Sequence, residues 1–494
     1  MNRIGDVPQL APGVPAGAAR GIPALGIDVG TTNTKVALVE VGDTLRVRAA
    51  AAVPTPEPAA LASTLAALIA RVLRPDDRPD DRPVDRPAAV GIASMAETGV
   101  PLDAGGAPLG DWLRWDGHRA GAEAQALADR LGWAELVRAT GTRPGPKVPL
   151  ATWAWLRAAE PERFAALHRW AGAADLAGYV LTGRLVTDHT LAGRTMAYRR
   201  PAAGGPGDRF DADLLGEVGL RPEQLPDVRT DAGRVRVFPG LPAGLPVTIA
   251  GHDHAVGAYA AGVRRPGEVA DSVGTAEALL TVVADAPDPV AVAAAGMSSV
   301  LTVDAAHPAV LAGSPAAGAF VEWWCADQGV PLAGFAPDDG DGPLPLLVLP
   351  YLHGRQTPAP DPSARPRFVG REDDPRRRAR AVLQGLCLQA EWIRREQARL
   401  AGLHADGPLA VLGGPVAGNP ASARMKAAIA AGPVRLVPEP HAVAAGAALL
   451  AVVRSGLVSA IPALDARPVP APDPRPDYEP TLAAFVAAAT GDAE

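Results

Sequence analysis

The stretch "ALGIDVGTTNTKVALVE" (24–40) runs apolar into Asp28, breaks at Gly30, presents Thr31, Thr32 and Lys35, and then resumes an apolar run. A hairpin alone would need only Asn-Gly or Asp-Gly at its turn. This turn instead offers a carboxylate, backbone N–H groups, hydroxyls and one of very few lysines, a set that suits a phosphate and its metal.

Working outward, the second half of the chain repeats the pattern. "EVADSVGTAEALLTVV" (268–283) again reads strand, Gly-Thr turn, strand. One such hairpin is a weak signal, whereas two would let two domains grip a polyphosphate from opposite sides. Around the first hairpin, 59–73 has helical periodicity and 88–94 is a short apolar strand. Between them "RPDDRPDDRPVDRP" (74–87) is a charged Pro repeat, expected to be a solvated spacer. Strand and helix signals then alternate, which argues for α/β layers. The Pro/Gly-dense passage 227–251 is the candidate domain boundary. After it come strands near 268–273, 277–283 and 299–302, helices near 314–329 and 375–403, a Gly-rich loop at 413–418 and an Ala-rich helix at 441–455.

A length of 494 residues allows two cores, since single cores stop growing at roughly 250–300 residues. With 47 basic against 54 acidic residues the net charge is −7 and no basic block stands out, so neither nucleic acid nor an anionic membrane is an expected partner. The two cysteines, Cys325 and Cys387, show no paired spacing and fit a reduced cytoplasm. No secretory apolar core or run of about 18 apolar residues is found, which predicts a soluble protein with residues 1–22 as a loose tail.

Four stretches fall in a definite order: "GIDVGTTNTK", "GHDHAVGA" (251–258), "DSVGTAEAL" (271–279), and "LAVLGGPVAGNP" (409–420) followed by "HAVAAGAALLAVVRSG" (441–456). In order and residues they resemble the FGGY family of carbohydrate kinases, within the actin-like ATPase superfamily. The resemblance runs from about 23 to 460. It implies an α/β fold of two ribonuclease-H-like domains with a cleft between them, an N-terminal one over 23–249 on the sugar and phosphate side and a C-terminal one over 250–494 on the nucleotide side.

The resemblance also implies roles. Asp28 would hold Mg²⁺, with Gly30, Thr31, Thr32 and Lys35 facing the ATP phosphates. Asp253 stands where the family has its catalytic base. A sugar hydroxyl is a poor nucleophile at neutral pH, so a carboxylate placed to accept its proton is what the chemistry needs. His252 and His254 flank it, and strand alternation would aim both away from Asp253, against a metal site there. Gly274 and Thr275 match the second phosphate motif, with Ala276 where many relatives have Ser. Gly413, Gly414 and Asn419 are adenosine-side candidates, because glycine lets backbone approach a flat base closely.

Substrate contacts follow from two weaker matches. "GIASMAETGVPLD" (91–103) resembles a glycerol-kinase segment in which an Arg-Glu pair binds polyol hydroxyls; Glu97 matches, but Ala96 replaces the arginine. "LRWDGHRA" (113–120) resembles a Trp-x-Asp-x-Arg segment, with Trp115 and Arg119 in place, Gly117 in the Asp position and Asp116 one residue early. Trp115 reads equally as a sugar-facing wall or a core tryptophan, and Asp116 as a helix cap. "PYLHGRQTPAPDPSAR" (350–365) carries Gln356 where the family has Arg and reads as scaffold near the cleft. The expectation is ATP-dependent phosphorylation of a small sugar or polyol, with an actin-like ATPase or a non-catalytic sensor as the rivals. A homodimer is left open.

Overall fold

The computed structural model describes residues 21–74, 86–200, 207 and 209–491. The tail and the charged Pro repeat therefore fall almost wholly outside the described residues. Ile22, assigned to the tail above, instead opens the first strand, Ile22–Val29.

Two sheets are built on one plan. In the N-terminal sheet the strands lie in the order Leu45–Pro54, Asn33–Val41, Ile22–Val29, Val90–Ser94, Pro246–His252, Asp231–Arg234. The first three form an antiparallel meander, and Val90–Ser94 and Pro246–His252 add to it in parallel. The C-terminal sheet places Pro308–Ser314, Glu277–Val282 and Val269–Val273 as the equivalent meander, with Leu409–Leu412 and Val434–Val437 added in parallel. Parallel additions need long crossovers, and these carry helices such as Leu61–Val72 and Pro375–Leu400.

The Pro/Gly-dense passage 227–251 folds into the N-terminal sheet as its last two strands, and Pro246–His252 runs through position 249/250. At Asp253 that strand gives way to the helix Asp253–Ala260.

Two helices fill the space between the sheets. Ala442–Arg454, from the C-terminal half, packs on the N-terminal sheet and against Asp253–Ala260, and all three share one apolar cluster. Its sequence is rich in alanine because the approach is so close. A Cβ on Gly26 would fall 1.7 Å from the Ala444 carbonyl oxygen, and one on Gly91 1.8 Å from that of Ala447. A separate cluster around Leu25, Ile27, Leu65, Ile69, Ile92 and Ile249 covers the opposite face of the N-terminal sheet. The strand ends carrying Asp28, Ser94 and His252 thus open at one edge of a rigid, doubly covered layer.

Candidate active site

Strand pairing sets Asp28 directly across from Lys35 in the first hairpin, and the Lys35 ammonium lies 3.4 Å from Asp28 Oδ2. The other oxygen, Asp28 Oδ1, is buried with no hydrogen-bond partner. Burial raises the Asp28 carboxyl to about 6, Lys35 opposes the shift, and the Asp253 charge adds to it. A buried carboxylate with one unengaged oxygen has the chemistry of a ligand for a hard cation such as magnesium, and Asp28 fits that description. At the turn, Gly30 N–H donates to Asn33 O, and Thr55 Oγ1 donates to the Gly30 carbonyl, which holds the loop shape.

Asp253 is the first residue of its helix, and its Oδ1 accepts the His254 backbone N–H at 2.7 Å. The expectation that the flanking histidines point away is overturned. His252 Nε2 lies 3.2 Å and His254 Nε2 3.7 Å from Asp253 Oδ1. Period-two alternation ends where strand becomes helix, so His254 already follows helical geometry, and Gly251 at φ 132° turns the chain just before. The donor atoms of the three residues all lie within 4.8 Å of one another. His252 is kept neutral, first by burial and then by the positive surroundings of His254, Arg194 and Lys147. Beneath this turn, Thr190 Oγ1 accepts the His252 N–H and donates to buried Asp188, which Arg454 also reaches.

Glu97 sits in the bend between the strands Val90–Ser94 and Gly99–Leu102, in a left-handed conformation, φ 64°, that a non-glycine residue adopts only when its surroundings hold it there. Two cations hold it. Arg194 Nη2 donates to Oε1 at 2.5 Å, and Lys147 Nζ lies 3.4 Å from Oε2. Burial opposes ionisation of Glu97, yet these two cations keep its carboxyl below the usual range. Lys147 also stands 5.8 Å above the Trp115 ring, whose Nε1 donates to Thr31 Oγ1 at 2.9 Å. That bond joins the turn of the first hairpin to Trp115 on the cavity wall.

One cavity of about 120 Å³ gathers Thr31, Glu97, Trp115 and Asp253 from the predicted set, together with Lys147, Arg194, His252, His254 and Gln356. Gln356, read as scaffold, is therefore on the cavity wall. Arg119 is not: its guanidinium lies over the Trp155 ring, 5.3 Å from the centroid. Asp116 pairs with Arg114.

On the C-terminal side, the Gly274 and Thr275 carbonyls accept the N–H groups of Gly318, Ala317 and Ala319 at the start of the helix Gly318–Asp327, leaving Thr275 exposed. Gly413 is pressed on this hairpin, where a Cβ would meet the Val273 carbonyl oxygen at 2.0 Å. Gly414 faces open space, and Asn419 caps the helix Pro420–Ile429 through Oδ1 to the Ala421 N–H. Neither these three residues nor Lys35, Gly30 and Thr32 line the cavity.

Three groups escaped the sequence reading. Lys147 and Arg194 sit in segments without motif character, and so does Lys426, which donates to Asp271 at 2.5 Å and Glu277 at 2.6 Å beneath the second hairpin. A signal for the lysines existed: the chain has only three, at 35, 147 and 426, and each is ion-paired at or beneath one of these loops.

Two mixed sheets of like topology facing each other across such a cavity give the two-domain, ribonuclease-H-like α/β fold expected from the sequence. The N-terminal domain model of the FGGY family of carbohydrate kinases matches residues 23–260 and the C-terminal domain model matches 269–455, so the chain belongs to that family. A xylulose kinase of Streptomyces rubiginosus is 30% identical over 274 residues, 54% of this chain and 55% of the relative. The chain thus spans about half the length of the curated relatives it matches. Among solved structures, the ligand-bound xylulose kinase from Lactobacillus acidophilus has a TM-score of 0.78 at 20% identity, covering 95% of this chain and 96% of that one. Gluconate kinase from the same organism has the same four values. Among the described residues no helix is long and apolar enough to cross a membrane.

Proposed function

We propose that this protein transfers the γ-phosphoryl group of ATP to a hydroxyl of a small sugar or polyol. The observation that carries this reading is the placement of Asp253 and Glu97 on one cavity, with Asp28 and its unengaged oxygen close enough for its titration to respond to Asp253. The unit built on the N-terminal sheet, whose strand Pro246–His252 carries it past 249/250, would hold the acceptor and phosphate side, and the unit built on the C-terminal sheet the nucleotide side.

In this reading the acceptor lies against Trp115 and Glu97, with the reacting hydroxyl toward Asp253. Asp253 accepts the hydroxyl proton as the new P–O bond forms, and the neutral His252 beside it leaves its negative charge uncancelled. A magnesium ion held at Asp28 would neutralise phosphate charge. The Thr31–Thr32 and Gly274–Thr275 turns cradle the phosphates, and Gly413, Gly414 and Asn419 border the nucleoside. The Thr31–Trp115 bond makes phosphate placement and acceptor placement parts of one unit.

ADP release with Mg·ATP against pentuloses, hexoses, pentitols, tetritols and glycerol tests the reading. One compound should stimulate turnover strongly, and Asp253→Asn should lower kcat by several kcal/mol of barrier while ATP binding holds. Retained turnover within about tenfold of wild type would remove Asp253 as the base. Sugar-independent hydrolysis would point to an ATPase instead.

A further inference from the structure

The pole of the cavity around Glu97 carries more positive charge than its own residues neutralise. Arg194 and Lys147 both line the cavity, and a single carboxylate, Glu97, lies between them with each of its oxygens already held by one cation. Arg194 is only 6% exposed, and its Nε and Nη1 are buried without any acceptor. Lys147 is pulled below its ordinary range by burial first, with Arg194 and Arg143 adding to the effect against Glu97. Arg143 lies in the same loop and is itself depressed by burial alone. Both cations pair with Glu97, whereas the charge partners of Asp253 are the two histidines.

Buried donors without acceptors, next to a desolvated ammonium, are costly unless a ligand completes them. A neutral hydroxyl would supply an acceptor but no charge. A carboxylate supplies both, and the guanidinium is the side chain best shaped to receive it. We propose that the acceptor is a polyhydroxy acid whose carboxylate is received by Arg194 and Lys147, with its chain of hydroxyls extending past Trp115 toward Asp253. This rests on the kinase reading above and narrows its substrate class. It also assigns Glu97 the task of fixing the two cations, which explains why its strained backbone is tolerated. In the sequence the family's arginine is missing at Ala96; in the structure Arg194 brings a guanidinium to Glu97 from a different segment.

The test uses the full chain with Mg·ATP and matched pairs of one carbon skeleton: gluconate and glucitol, xylonate and xylitol, threonate and threitol, glycerate and glycerol, with neutral ketoses alongside. Thermal melting of the protein with each compound, without ATP, is read in parallel. One acid is expected to exceed its alditol in kcat/KM by roughly tenfold or more, the scale of a charge-assisted hydrogen bond. Arg194→Met and, as a less buried alternative, Lys147→Met should raise that acid's KM by roughly tenfold or more while the ATP KM moves far less. A neutral sugar as best substrate with no acid raising the melting temperature overturns the inference and leaves the kinase reading standing. A raised ATP KM in both variants with the acid KM unchanged also overturns it, by assigning the cations to the nucleotide. An acid that raises the melting temperature of wild type but not of Lys147→Met, with no compound phosphorylated, keeps the anion site and removes the kinase reading.

Discussion

The two Gly-Thr hairpins look alike in sequence and are wired differently. In the first, Lys35 stands 3.4 Å from Asp28, remains 30% exposed, and leaves Asp28 Oδ1 without a partner. In the second, Lys426 is buried and bonds Asp271 and Glu277 together, tying the hairpin to the helix Pro420–Ile429. A loosely compensated carboxylate is available to a metal, whereas a lysine bonded to two carboxylates is a clamp. The same strand-turn-strand grammar thus leaves a carboxylate loosely paired on one side and locks two carboxylates to one buried lysine on the other. Gly413, pressed on Val273, extends the rigid side into the proposed nucleotide loop.

Removing the clamp should have the largest effect. Lys426→Ala leaves two carboxylates buried without their cation and should cost about 3–5 kcal/mol in denaturant unfolding; a loss under about 1 kcal/mol would erase the distinction between the hairpins. Asp28→Asn should do the reverse. It should lower turnover with the best acceptor on the order of 10²-fold or more, through lost metal binding, while unfolding free energy holds or rises. Equal damage to stability and turnover would mean that Asp28 is structural too.

Another buried carboxylate, Asp175, sharpens the scale because no cation accompanies it. Burial raises it from 3.8 to about 7, with the Asp188 charge adding and bonds from Thr187 and Gly172 opposing. The folded state therefore binds the extra proton, so its contribution is present at low pH and is lost as pH rises from about 4 through about 7. Asp175→Asn should flatten that slope and gain roughly 2–4 kcal/mol at neutral pH relative to wild type, read from unfolding curves across the range. An unchanged slope would show that water reaches the carboxylate. Lys35→Met should be mildest, costing below about 1 kcal/mol of stability because the pair is partly exposed. A larger loss would make the first hairpin a clamp like the second.

Much of the fold was legible. Period-two runs around Gly30 and Gly274 gave both hairpins, and the Ala-rich run at 441–455 gave the helix Ala442–Arg454, whose small residues answer the close approach to Gly26 and Gly91. The Pro/Gly-dense passage was less legible, since turn residues at 239–245 hide the fact that the strand after them returns to the N-terminal sheet. Asp28, Thr31, Glu97 and Asp253 all lie in the motif stretches that carry the family resemblance, and the structure brings Thr31, Glu97 and Asp253 onto one cavity.

What the sequence by itself determined is local: which segments form strands and helices, where the chain turns, and which turns carry a carboxylate. Those follow from backbone conformation and side-chain period, properties of neighbours along the chain. Only the tertiary structure decided that Arg194 and Lys147 meet at Glu97, that both histidines fold back on Asp253, and that Lys426 bridges Asp271 and Glu277. Each of the ion pairs joins residues far apart in sequence, and the histidines turn back because the chain passes from strand to helix at Asp253. Charge pairing acts through space, and only the packing of the layers sets which charges are near.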